Sequence, residues 1–192
     1  SPNMAQVPAI YSPYGKECRE LWKVSNPDTH VLIGTDASGL ELRCLAHYMD
    51  DKRFTREVLT GDVHTANQKA AGLQTRDQAK TFIYAFLYGA GSAKIGKVVG
   101  AGAKRGQSLI DNFLKNMPNL KRLRNNITEA SKSGTVKGLD GRQLHIRSPH
   151  ASLNTLLQGA GAIICKQWLV HIDERIRKSG IDARLVASVH DE

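Results

Sequence analysis

Residues 76–91, RDQAKTFIYAFLYGAG, restrict the fold more than any other stretch, because they demand one helix with a chemically distinct polar side. Arg76, Lys80, Tyr84 and Tyr88 recur every fourth residue. Four residues turn an α-helix by about 400° and raise it about 6 Å, so these side chains form one slowly drifting stripe. The two cations come first, where the macrodipole and the unpaired amides already attract anions. The two rings follow. A triphosphate held by Arg76 and Lys80 leaves its sugar and base beside Tyr84, where stacking contributes about 1 to 3 kcal/mol per base. A solvated basic face beside a core stripe has the same spacing, so the rest of the chain has to decide.

The chain has 192 residues and 41% hydrophobic content, enough to bury a core. Lys and Arg outnumber Asp and Glu by 27 to 18, and the net charge of +9 is spread along the chain. That distribution suits an extended polyanion, whose binding releases condensed counterions. A membrane surface fits less well, since no apolar run approaches the roughly 20 residues that span a bilayer, and residues 1–8 lack a signal-peptide pattern. Cys18, Cys44 and Cys165 are odd in number and far apart, which suggests reduced core residues.

Residues 1–29 hold four of the six prolines and read as an irregular entry. The apolar run 31–35 predicts a buried strand that delivers Asp36 at its C-terminal end. A helix follows, with Glu41 in its first turn. Glu57, Asp62 and His64 belong to a helical stretch interrupted by Gly61 and closed near Gly72, and Thr75 sits where an N-cap is expected. Two or three amphipathic helices are expected over about 92–99, 103–116 and 119–132, with Pro118 marking a start. Asp140-Gly141 marks a hairpin turn. A long helix over about 149–178 carries Asn154 and Gln158 one turn apart, and 183–189 predicts a strand handing over to His190, Asp191 and Glu192.

Two expected strands thus end in carboxylates, Asp36 and Asp191. If they are neighbours in one sheet, those carboxylates offer the hard oxygen ligands that magnesium takes, and two such ions suit an in-line phosphoryl displacement. The glycine-rich runs near 89–105 lack the later glycine of a dinucleotide loop and are better explained as helix terminators.

DASGLELRCLAH at 36–47 resembles the first palm motif of family A DNA polymerases, RxxxKxxxYxxxYG at 76–89 their fingers motif, and HDE at 190–192 their last palm motif. Within that family, SPYGKECR at 12–19, GDVHT at 61–65 and RSPHASLNTLLQ at 147–158 are most similar to replicative enzymes of short-tailed T-odd phages. The resemblance covers nearly the whole chain, with a shorter connection between residues 48 and 60.

The resemblance implies an α/β (α+β) fold. Residues 1–72 would be part of the palm, 73–132 the helical fingers, and 133–192 a hairpin, the long helix and a truncated palm strand. Asp36, the Ala37 carbonyl and Asp191 would hold two Mg2+ ions, with Glu192 a secondary acidic group. Arg76, Lys80 and His64 would bind the triphosphate, and Lys80 could protonate the departing pyrophosphate. Glu41 would exclude a 2′-hydroxyl. Tyr84 would stack near the incoming base and sugar, and a tyrosine there goes with acceptance of dideoxynucleotides. Tyr88, Asn154, Gln158, His150 and His190 would contact the template, the nascent pair or the primer end. Tyr88 as a core ring, His145 and His150 as surface or phosphate contacts, and His47 as packing are the plain alternatives.

The implied activity is template-directed DNA synthesis from dNTPs on primer-template DNA in viral replication, in the cytoplasm of a host cell and away from membranes. A processivity factor would contact other parts of the protein. Nothing ahead of Ser1 corresponds to a thumb or exonuclease, and the chain stops at the catalytic acids, so the isolated segment is expected to be feeble or inactive. Two rivals are a non-catalytic basic nucleic-acid-binding domain and a related single-subunit RNA polymerase. Paired strand-end acids around a cationic aromatic helix argue against the first, and Glu41 argues against the second.

Overall fold

The computed structural model describes residues 7–8 and 10–189, which fall into two compact units. One runs from Gly39 to Ile164; the other comprises the residues up to Ser38 and from Cys165 onward.

In the first of these, short polar residues fix where helices start. Helix α2 (Leu40–Met49) lies between two left-handed residues, Gly39 (φ 62) and Asp50 (φ 48). Asp51 caps α3 (Lys52–Thr60), accepting hydrogen bonds of 3.0 Å from the amides of Arg53 and Phe54. Asp62 caps α4 (Val63–Ala71), which ends at Gly72 (φ 72). Thr75 caps α5 (Arg76–Leu87) in a full capping box with Gln78. Each such cap contributes about 1 kcal/mol. The expected break at Gly61 and closure at Gly72 are therefore both present.

Helices α6 (Ser92–Lys97), α7 (Ala103–Asn116) and α8 (Pro118–Ala130) follow, with Pro118 at the first helical position as expected. The glycines between them divide their work. Gly89 and Gly100 take positive φ, whereas Gly91 and Gly102 are N-caps of the next helices and not terminators. Gly106 of α7 packs directly on the backbone of α6, where a Cβ would collide with the carbonyl of Ser92.

The core of this unit is aromatic at its centre. Phe82 and Phe113 are fully buried and meet edge to face at 5.1 Å, and Phe86 meets Phe113 at 5.5 Å. Burying each ring stabilises the fold by about 1.5 to 3 kcal/mol, and each edge-to-face pair adds about 0.5 to 1.5 kcal/mol. Ala79, Phe82, Ile83, Phe86 and Leu87 form the inward ridge of α5, so its other side faces outward.

Strands β1 (Thr135–Lys137) and β2 (Gln143–His145) pair antiparallel, Val136 opposite Leu144, around a turn in which Gly141 has φ 85. Leu144 packs against Gly159 of α9 (Ser152–Ser179), where a Cβ would come within 2.7 Å of the Leu144 Cδ1. The described fold is α+β: mostly helical, with one two-stranded sheet among the described residues.

The second unit corrects several expectations. Residues 31–35 and 183–189 form no strand ladder among the described residues. Val31 and Ile33 are 75% and 79% exposed. Apolar patterning reports which side chains gain by burial, but a ladder also needs a second backbone about 4.8 Å away. The two segments instead line an open apolar cleft of about 490 Å³ with Trp22, Trp168 and Leu169. The proline-rich entry contains a short helix, α1 (Gly15–Glu20), which was not expected. Cys44 and Cys165 are buried, but Cys18 is only half-buried.

Candidate functional site

The outward side of α5 carries the stripe expected from the sequence. Arg76 and Lys80 are exposed, Tyr84 is half-buried, and Tyr88 caps the C-terminal end with 49% exposure. At a rise of 1.5 Å per residue, Arg76 and Tyr88 lie about 18 Å apart along the axis. Side chains from α2, α4 and α9 gather at the two ends.

The N-terminal end is cationic. The Nε of Arg76 donates to Oδ2 of Asp62 at 2.8 Å. The same oxygen accepts from the Thr65 hydroxyl at 2.8 Å, while Oδ1 accepts from the amides of His64 and Thr65 at 3.1 and 3.3 Å. The Arg76 guanidinium, followed by the Thr65 hydroxyl, holds the Asp62 carboxyl well below the usual carboxylate range. That pair raises the Arg76 pKa in return. His64 sits one residue inside α4, its ring 6.4 Å from that of Tyr84. Burial lowers its pKa, and the charges of Arg76 and Lys80 lower it further. Its Nδ1 is buried with no partner among the described residues. The neutral ring is thus the resting form, beside two fixed cations.

The C-terminal end is polar and tightly cross-linked. Tyr88 donates its hydroxyl to Glu41 Oε1 at 3.2 Å. Gln158 Nε2 donates to the same carboxylate oxygen at 3.3 Å and to the Tyr88 oxygen at 3.2 Å. One carboxylate in the first turn of α2 is therefore held by α5 and α9 together. The His150 carbonyl abuts Gly89, where a Cβ would come within 2.5 Å of it, so the turn before α9 lies against the end of α5. Asn154 lies one turn before Gln158, half-buried.

Glu41, His64, Arg76, Lys80, Tyr84, Tyr88, His150, Asn154 and Gln158 all belong to the unit from Gly39 to Ile164. Asp36 and Ala37 belong to the other unit. His190, Asp191 and Glu192 lie outside the described residues. Asp36 is an exposed carboxylate next to the Ala37 carbonyl, donors of the hard oxygen type that magnesium accepts. Among the described residues, no group of three or more His, Cys, Asp or Glu could hold a metal ion. His47 is exposed, its ring edge-on to Tyr48 at 5.2 Å. His145 is also on the surface.

Sequence reasoning missed two relationships. Asp62 is expected only as part of a helical stretch, whereas it caps α4 and also holds Arg76. Tyr88 reads as a template contact or a core ring, and nothing local announces its hydrogen bond to Glu41.

The family model for DNA polymerase family A matches residues 1–192. The chain is 48% identical over 221 aligned positions to the DNA-directed DNA polymerases of Enterobacteria phage T3 and Escherichia phage T7, covering all of this chain and 31% of each relative. DNA polymerase I of Helicobacter pylori is 29% identical, across all of this chain and 23% of its own length. The POL domain of Pol1 from M. smegmatis, in complex with DNA primer-template and dNTP, shares the fold with a TM-score of 0.78 at 21% identity. That match covers 99% of this chain and 37% of the neighbour. The chain spans about a third of the length of the phage relatives.

Proposed function

The chain belongs to DNA polymerase family A, and on that premise we propose that it is the nucleotide-selecting part of a DNA-dependent DNA polymerase of viral replication. The observation that carries this reading is the two-ended face of α5: His64, Arg76 and Lys80 at one end, and Glu41 held by Tyr88 and Gln158 at the other.

The cationic end binds the triphosphate of an incoming dNTP. Arg76 contributes a planar fork suited to phosphate oxygens, and Lys80 a compact point charge that can follow the departing pyrophosphate and supply its proton. A neutral His64 can donate one hydrogen bond to a phosphate without adding to the repulsion between the fixed cations. Tyr84 lies between the two ends and offers its face to the base and sugar. Glu41, pinned from two helices, forms a wall at the sugar's 2′ position. A 2′-hydroxyl arriving there meets a carboxylate that cannot swing aside without breaking bonds to Tyr88 and Gln158. Asn154, Gln158, His150 and His190 would contact the nascent pair or primer end, and Tyr88 the template base.

Family A polymerases work with divalent metal ions. Asp36, the Ala37 carbonyl and Asp191 would hold two Mg2+ here, with Glu192 alongside. Bound there, magnesium supplies activation of the primer hydroxyl and neutralisation of phosphate charge. The partners are primer-template DNA and dNTPs, and a processivity factor would dock on other parts of the full protein. No helix among the described residues is long and apolar enough to cross a membrane. The site of action is the host cytoplasm.

The test is primer extension by the full-length protein on a defined template. Magnesium-dependent, template-directed extension that falls by about a hundredfold or more in Lys80→Ala supports the reading, in line with the loss of one charge-stabilising group. Equal activity in that variant, or activity independent of divalent metal, removes it.

A further inference from the structure

We propose that Asp62 is a positioning residue for nucleotide binding: it anchors the Arg76 guanidinium and the His64 backbone in one frame, so that both meet the triphosphate already oriented. This rests on the nucleotide-binding reading above.

Both oxygens of Asp62 are committed. Oδ1 takes the amides of His64 and Thr65, and Oδ2 takes the Thr65 hydroxyl and Arg76 Nε. The carboxylate is thereby fixed to the first turn of α4 before it engages α5. The contact to Arg76 is made through Nε at 2.8 Å. A guanidinium is planar, with five N–H groups in a rigid fork, so holding one edge sets the direction of the rest. The terminal amino groups are the ones that pair with phosphate in two parallel bonds.

An arginine on an exposed helix start otherwise samples many rotamers, and ordering it on binding lowers affinity. Asp62 removes much of that cost in advance. It also ties α4 to α5 at the point where the two bring His64 and Arg76 together. A competing role, in which Asp62 masks Arg76 until phosphate displaces it, predicts the opposite sign on removal of the charge.

Asp62→Asn separates the charge from the cap, because asparagine caps helices as well as aspartate does. Its amide group cannot accept from Arg76 while the carbonyl serves the helix. Asp62→Ser is a second variant that retains the cap and lacks the charge.

The experiment measures single-nucleotide incorporation of 2′-deoxyadenosine triphosphate opposite template thymine, with full-length polymerase and magnesium. In both variants KM for the nucleotide rises about three- to tenfold, and kcat at saturation stays within about twofold. Arg76→Ala alone raises KM, and adding Asp62→Asn to it produces no further rise, because the effect passes through Arg76. An unchanged or lower KM in both Asp62 variants, with Arg76→Ala still raising it, overturns the proposal and leaves the nucleotide site standing. An equal rise with and without Arg76 also overturns it. If Arg76→Ala leaves KM unchanged, the phosphate reading itself falls, and this proposal with it.

Discussion

Tyr88 donates its hydroxyl to Glu41 at 3.2 Å, joining residues 47 positions apart in the chain. A hydrogen bond to a charged group is worth about 1.5 to 3 kcal/mol, so if Glu41 is the proposed sugar gate, its exclusion of a 2′-hydroxyl depends on this bond. In the full-length polymerase, Tyr88→Phe keeps the ring and removes the donor. The ratio of kcat/KM for a deoxyribonucleotide over its ribonucleotide should fall about tenfold, and further in Glu41→Ala. Steady-state incorporation of both nucleotides checks this; an unchanged ratio in Glu41→Ala removes the gate role.

Gln158 reaches the same carboxylate oxygen from α9 at 3.3 Å. Gln158→Leu keeps a side chain of similar bulk with no donor and leaves Tyr88 as the remaining of these two donors. Sugar discrimination should fall severalfold, and less than for Tyr88→Phe and Gln158→Leu combined. The same incorporation assay on the two single variants and the double variant gives the comparison.

His64 is held below its ordinary pKa of 6.5, first by burial and then by Arg76 and Lys80. Below pH 6.5 the unfolded chain takes up a proton at this position that the folded site refuses. Stability therefore falls as pH drops from that value towards the lowered folded pKa, and it is unaffected above. His64→Gln removes this cost. Thermal unfolding of the full-length protein at about pH 7.5 and about pH 5.5 should show the wild type losing more than the variant. Equal losses would mean that the ring titrates normally.

Gly106 lets α7 press on the backbone of α6, where a Cβ would meet the Ser92 carbonyl and the Gly96 amide. Backbone cannot rotate aside as a side chain can. Gly106→Ala, despite better helix propensity, should destabilise by about 1 to 3 kcal/mol through overpacking. Chemical denaturation gives the value, and a stabilised variant would show that the two helices can separate at little cost.

What the sequence made legible was local chemistry. The start of α5 could be read because Thr75 and Gln78 make a capping box within one turn, and Pro118 and Gly141 mark their elements by backbone geometry alone. The stripe on α5 was likewise a matter of periodicity. The bonds that join Glu41 to Tyr88 and Gln158 cross 47 and 117 residues, a distance at which spacing carries no information. Residues 31–35 and 183–189 failed for a different reason: their apolar runs stated a need for burial, and the ladder expected to meet it requires a partner that patterning cannot name. Helix α1 was hidden by the prolines on either side of it.

The most direct test of the account is equilibrium binding of a 2′-deoxynucleoside triphosphate to full-length protein on a dideoxy-terminated primer-template in magnesium. Replacing Arg76 and Lys80 together by alanine should weaken that binding at least about tenfold, with affinity for the primer-template itself changed far less. Unaltered nucleotide affinity in the double variant would contradict the assignment of α5 as the triphosphate site.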